Sequence, residues 1–282
     1  MSEPFIGSAA LAAGTLSRHT LRTRYVAVHH DVYVPKDTEM TAVVRAKAAW
    51  LRTRGHGVLA GFSASAVHGA RWIDPGRPAT VIDTNRRRTR GIEVWAGLID
   101  DDEICVVDGI RVTTPLRTAV DLARRYPLDT AVTAIDALAR ARRLRVEDIA
   151  AATDRPGRHR MKRAREAIAL VDPGAESPKE TWLRLVIVRA GFPRPETQVP
   201  VYNEYGVLIG EVDLGWRDVR IAAEYEGKHH RMSRTAFDKD IRRMDELLEQ
   251  GWAVLRFTAA DTEATVIRRL SAAWNQRMPA AS

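Results

Sequence analysis

Apolar residues along this chain recur with two periods. Stretches with every second position apolar read as strands, and stretches with apolar residues three and four apart read as helices. Ser8–Ala13 is a short helix by this criterion, and Ser17 is placed to cap a second, HTLRTR. Tyr25–Pro35, YVAVHHDVYVP, alternates as a two-stranded ribbon does. The pattern predicts a helix from Glu39 to about Arg54, with Val43, Val44, Ala46 and Trp50 on its apolar side, and a short one over Ser63–Gly69. From Pro78 to about Arg111 the segments ATVIDT, IEVWAG, EICVV and IRVTT read as strands, with Asp108-Gly109 as a two-residue hairpin turn. Thr114 and Pro115 start a helix to Arg125, and another spans about Asp129–Arg143. Their inner faces carry Leu116, Val120, Leu122, Val132, Ile135 and Leu138.

After Pro173-Gly174 the pattern is a helix from Ser177 to Arg189 and strands Thr197–Tyr202, Val207–Gly215 and Val219–Glu226. A tight turn at Trp216–Asp218 joins the last two of these strands. A helix over about Thr235–Gln250, a strand Trp252–Phe257 and a helix over about Asp261–Gln276 complete the order αβββαβα. The expected fold is α+β in several domains. Residues 1–75 form a unit with the helix, basic helix, ribbon order of a winged helix, and residues 76–150 a small mixed α+β domain. Residues 151–175 are a basic connector helix, and residues 176–282 an α/β domain.

Charge alters this picture in one direction. The 282 residues carry 44 Lys and Arg against 36 Asp and Glu, a formal charge of +8, which favours partners bearing phosphates. Arg18, His19, Arg22 and Arg24 make the second helix basic, and Arg86, Arg87, Arg88 and Arg90 form a cationic loop tip. Arg158 and Arg160 belong to a dense basic run in the connector. Each is a candidate phosphate contact, and each is equally the pattern of a solvated surface. The single Cys105 excludes an intrachain disulfide and a cysteine zinc cluster. No apolar run has membrane-spanning length and no export signal is visible, so a cytoplasmic protein without membrane contact is expected. His68 reads as a packed, hydrogen-bonded residue.

The densest chemistry lies in EVDLGWRDVRIAAEYEGKHH, residues 211–230. Glu224 and Glu226, two apart, point the same way from one strand, and a hairpin sets Asp213 across from them. Three carboxylates converging in a half-buried sheet repel one another, so something positive must sit there. A divalent cation with oxygen ligands, Mg²⁺ or Mn²⁺, is the simplest candidate; Lys228 or nearby arginines are the alternative.

HHDVYVP, GFSASAVHG and VVDGIRVTTPLRTAVDLA resemble the winged-helix antitoxin and regulator family of the type IV abortive-infection class, over about half of the chain. Asp31 departs from that pattern, which has Gly before the VYV strand. The resemblance implies DNA binding through the N-terminal winged helix and an antitoxin-like domain after it. The C-terminal 105 or so residues resemble the PD-(D/E)XK, restriction-endonuclease-like superfamily, closest to very-short-patch-repair-like endonucleases. Asp213, Glu224-Tyr225-Glu226-Gly227 with His229 and His230, Asp240 to Arg243, and Gly251–Arg256 carry it.

That second resemblance implies metal-dependent phosphodiester hydrolysis, with Asp213, Glu224 and Glu226 at the metal. Glu180 would be the helical acid, although Ser177 to Glu180 is also a capping-box spacing. Glu226 stands where the superfamily has Lys, which leaves Lys228 or His230 as helper. Arg243 and Arg256 would bind phosphate or brace the carboxylates. The function expected is therefore a metal-dependent DNA endonuclease with a winged-helix front half. The alternative is a non-catalytic DNA-binding regulator or antitoxin, with a toxin or a second copy of the chain as partner.

Overall fold

The structure is a computed structural model, and it describes residues 3–97, 99–155, 159–227 and 234–278. The chain divides into two units, Met1–Pro173 and Gly174–Ser282.

Unit 1 opens with strand β1 (Phe5–Ile6), helices α1 (Gly7–Ala12) and α2 (Arg18–Arg24), and strands β2 (Tyr25–His29) and β3 (Val32–Pro35). Ser17 caps α2 as expected, its hydroxyl accepting the Thr20 amide at 3.0 Å. The three strands form a sheet in the order β1-β3-β2, antiparallel throughout. β1, two residues long, carries too short a pattern to be visible in the sequence. Helix α3 (Ala42–Arg52) packs on β2 and β3; it starts three residues later than expected because Thr41 supplies the cap, accepting the Val44 amide at 3.2 Å.

Strand β4 (Val58–Leu59), helix α4 (Gly61–Val67) and strands β5 (Ala79–Ile82), β6 (Ile92–Trp95), β7 (Ile104–Val107) and β8 (Ile110–Thr113) follow. They give a five-stranded sheet in the order β6-β5-β4-β8-β7. The short β4 sits at its centre, paired with β5 and β8, so this sheet crosses the boundary expected at 75/76. Asp108 and Gly109 have φ of 49° and 78°, the positive values a type I′ turn requires, and join β7 to β8. Helices α5 (Pro115–Arg125), α6 (Leu128–Arg142), α7 (Val146–Ala151) and α8 (Met161–Ile168) complete the unit. Val120, Leu122, Val132, Ile135 and Leu138 are fully buried.

Unit 2 runs α9 (Pro178–Arg189), β9 (Glu196–Tyr202), β10 (Leu208–Trp216), β11 (Ile221–Tyr225), α10 (Arg234–Glu249), β12 (Ala253–Phe257) and α11 (Glu263–Arg277). Its sheet has the order β12-β11-β10-β9, with β11 and β12 parallel and the other pairs antiparallel. The β10–β11 turn covers residues 217–220, with Arg220 at φ 50°; it starts one residue and ends two residues later than the turn expected at Trp216–Asp218. Along β11 the side chains alternate. Ile221 and Ala223 pack with Leu183, Ile187, Phe257, Val266 and Leu270, whereas Ala222 packs with Val212, Leu247 and Trp252. Glu224 continues on the face of Ala222, and that alternation sets the surroundings of the acidic cluster. At the level of fold class the chain is the mixed α and β protein expected, with several sheets.

Candidate functional site

Asp213, Glu224 and Glu226 do come from neighbouring strands, but arginines meet two of them. Arg243 on α10 places Nη2 2.5 Å from Glu224 Oε1 and donates from the same nitrogen to the Glu211 carbonyl at 2.7 Å. Arg256 on β12, the register partner of Glu224, has Nε 2.5 Å from Glu226 Oε1 and 3.7 Å from Glu224 Oε2. Its Nη2 lies 2.6 Å from Asp240 Oδ2. Glu224 is 6% exposed, so its carboxylate is stable there because of these guanidinium groups.

Asp213 is treated differently. It accepts the Tyr225 amide at 2.8 Å. Burial, with Glu180 and Glu224 nearby, pushes its pKa up to about 6, against the opposing effects of that amide and Arg243. The crowding of acids is therefore relieved by two arginines and by the readiness of Asp213 to hold a proton.

Among the described residues no group of three or more His, Cys, Asp or Glu side chains is arranged to hold a metal ion. Arg243 and Arg256 pair with Glu224, Glu226 and Asp240. Glu180 is 8% exposed and accepts from the Glu176 amide at 2.8 Å and Gln198 Nε2 at 3.2 Å, while its own amide donates to Ser177 Oγ at 3.2 Å. It serves the start of α9. Lys228 and His230 lie outside the described residues.

The cationic candidates of unit 1 are placed otherwise. Arg18, His19, Arg22 and Arg24 are all exposed on α2, with Leu21 as its buried anchor. Arg86, Arg87, Arg88 and Arg90 are exposed between β5 and β6, where the Asp83 and Asn85 carboxyl and amide oxygens accept the Asn85 and Arg87 amides and shape the loop. Arg86, Arg88 and Arg90 line a cavity of about 610 Å³ together with Gly91 and Glu93. In the connector, Arg160 is exposed at the start of α8 and Arg158 is outside the described residues. Other arginines there are engaged: Arg155 with Asp100 and Asp102, Arg163 with the Tyr126 carbonyl, and Arg165 with Asp154.

Two features escaped the sequence. Arg117, 6% exposed, pairs with Glu103 and, at 2.9 Å, with Asp121, which also binds Arg124 at 2.7 Å. The i,i+4 spacing from Arg117 to Asp121 was readable as a helix pair, but its burial was not. The second is the pin at Asp31. Its backbone is left-handed (φ 63°), and its carboxylate accepts the Ser8 amide at 2.7 Å, the Ser8 hydroxyl at 2.5 Å and Arg54 Nη2 at 2.8 Å. Burial acts to raise the Asp31 pKa, but the Ser8 and Arg54 contacts outweigh it and hold it below the ordinary aspartate value. Asp replaces the expected Gly here because it tolerates the left-handed region and also bonds to α1. His68 is a packed residue as expected, 3% exposed with Nε2 2.7 Å from the Thr113 carbonyl.

A family model described as the AbiEi antitoxin C-terminal domain matches residues 6–170. The chain belongs to this family. The match covers nearly all of unit 1, including the segment read as a winged helix. Two uncharacterized proteins of Mycobacterium tuberculosis, one from strain CDC 1551 / Oshkosh and one from strain H37Rv, are each 34% identical over 156 residues. That stretch is 55% of this chain and 57% of theirs, so the chain spans just over half the length of the curated relatives it matches. No solved structure matches the chain.

Membership in the AbiEi antitoxin family overturns the expectation of a metal-dependent endonuclease, and of an enzyme altogether. Two of the acids that motivated it, Glu224 and Glu226, are paired with arginines within unit 2. No helix among the described residues is long and apolar enough to cross a membrane.

Proposed function

We propose that this AbiEi-family chain is a non-catalytic DNA-binding transcriptional regulator of the antitoxin type. The observation that carries the reading is the family match over residues 6–170. The geometry of unit 1 supports it. β1, α1, α2, β2 and β3 follow one another in the strand, helix, helix, strand, strand order of a winged helix, and the sheet order β1-β3-β2 is the one such a ribbon takes. In this reading α2 enters the major groove with Arg18, His19, Arg22 and Arg24, the β2–β3 ribbon rests on the backbone, and the Arg86–Arg90 loop adds phosphate contacts. Unit 2 is a platform whose buried acids are neutralised internally. The family's name makes a toxin the partner to seek.

Fluorescence anisotropy with the duplex upstream of the chain's own gene tests this. Specific binding is expected to exceed that to a shuffled duplex by on the order of 10³. Arg18→Ala with Arg22→Ala is expected to weaken both and to flatten the salt dependence by about two phosphate contacts. Equal affinity of this double variant and the parent chain removes α2 from the interface, and equal affinity for both duplexes removes the regulator reading.

A further inference from the structure

The hairpin of β9 and β10 runs past the rest of its sheet. β10 pairs with β11 only over Leu214–Trp216, whereas it pairs with β9 from Gly215 back to Leu208. The half nearer the tip is therefore a two-stranded ribbon. One of its faces is covered: Val199, Val201 and Val212 pack with Leu247 of α10, and Arg243 approaches Gly210 from that helix. Alternation turns Tyr202 and its register partner Leu208 to the other face, followed along β10 by Glu211, the partner of Pro200. Tyr202 is 52% exposed and Leu208 51%, and at the tip Tyr205 is 81% and Val207 60% exposed. Hydrogen bonds fix the tip that carries them. The Asn203 side-chain oxygen accepts the Tyr205 and Val207 amides at 3.0 and 2.9 Å, and the Asn203 amide donates to the Val207 carbonyl at 2.9 Å. Four large apolar side chains held together in water mark a surface that another molecule covers.

Charge selects the class of that molecule. From Glu196 to Glu211 the chain has three glutamates and no lysine or arginine. Glu196 pairs with Arg217, whereas Glu204 and Glu211 make no ion pair among the described residues. An acidic rim repels DNA phosphates and anionic lipid, and it repels the same patch on a second copy of the chain. We propose that the β9–β10 hairpin tip docks a basic protein partner, one that offers an apolar pocket rimmed by lysine and arginine, with Tyr202, Tyr205 and Leu208 as the anchors. Tyrosine suits this role because it brings a large contact area and a hydrogen-bonding hydroxyl at low cost in side-chain entropy. The surface does not rest on the regulator reading above; that reading makes a toxin the first partner to try.

The test is photo-cross-linking in the native cells from p-benzoylphenylalanine placed at Tyr205 of the full chain, with the same probe at exposed Ala264 of α11 as the control. One protein of basic surface is expected to be captured from position 205 and not from position 264. With that protein purified, Tyr202→Ser with Leu208→Ser is expected to weaken its affinity by about tenfold or more. Glu204→Lys with Glu211→Lys is expected to slow association by about tenfold at low salt and to remove most of its salt dependence. Circular dichroism checks that both variants fold, and Tyr205→Ser at the tip repeats the affinity measurement if the strand variant does not. Capture of no protein, of the same proteins from both positions, of an acidic protein, or of a second copy of the chain alone overturns the proposal. So does an affinity indifferent to the apolar and the charge variants. Loss of DNA affinity in the Tyr202, Leu208 variant with no protein captured assigns the patch to DNA and overturns it as well.

Discussion

Asp213 shows how one residue can mislead and inform. Its carboxyl pKa lies at about 6, above the 3.8 it has when solvated, because burial and the neighbouring Glu180 and Glu224 penalise the charge. A carboxyl raised on folding binds its proton more tightly in the native state. Its contribution to stability is therefore present below about pH 4 and lost as pH rises through 6. Asp213→Asn removes the titrating charge while keeping an oxygen for the Tyr225 amide. Relative to the parent chain, the variant is expected to gain on the order of 2 kcal/mol of stability between pH 4 and pH 7, at about 1.4 kcal/mol per unit. Urea melts at the two pH values measure this, and a difference independent of pH contradicts the assignment. The acids at 213, 224 and 226 were legible in the sequence as a converging set, but their neutralisation was not. Arg243 and Arg256 stand 17 to 43 residues further along and reach the cluster only through the packing of α10 and the pairing of β12.

Elements come next, and here local rules carried most of the information. Caps at Ser17, Thr41, Thr114 and Ser177 start α2, α3, α5 and α9, because each hydroxyl accepts an amide that the helix itself leaves unpaired. Helix α1 differs: Ile6 offers no side-chain cap, and Asp31, 23 residues away, accepts the Ser8 amide. Asp31→Gly retains the left-handed backbone but loses these bonds, so a loss of about 1 kcal/mol is expected. Asp31→Ala adds backbone strain at φ 63° for roughly 1 kcal/mol more. Chemical denaturation should rank the parent chain above the Gly variant and the Gly variant above Ala. A Gly variant as stable as the parent would show that the Ser8 and Arg54 contacts contribute nothing. β1 and β4 escaped notice because two residues carry no period; each exists through its sheet partners.

At the scale of the whole molecule, charge sets the behaviour. The formal charge of +8 is spread over a chain with exposed arginines on α2, on the Arg86–Arg90 loop and at and after the end of α6, among other places. If α2 and the Arg86–Arg90 loop both engage DNA, log affinity should fall with log salt at a slope of about −5 or steeper, at about −0.9 per phosphate contacted. Replacing Arg86, Arg87 and Arg88 with Ala should make that slope shallower by about three. Anisotropy titrations between low and moderate salt measure it, and a parent slope near −1 rules out a broad phosphate contact. The same arginines read from composition alone are indistinguishable from a solvated surface. Arg155, Arg163 and Arg165, engaged by carboxylates and a carbonyl, show why the distinction needs coordinates.

Periodicity, caps and turn residues by themselves determined where most helices and strands lie, because those signals act over a few neighbouring residues. The residues of HHDVYVP, GFSASAVHG and VVDGIRVTTPLRTAVDLA likewise pointed to the antitoxin family that the chain proved to belong to. Tertiary structure alone decided which charges meet. The fate of the acids at 213, 224 and 226 and the buried Arg117 pair with Glu103 depend on contacts between distant segments. A charge's free energy is set by its solvent exposure and its nearest partners, and neither quantity is written in the local order of residues.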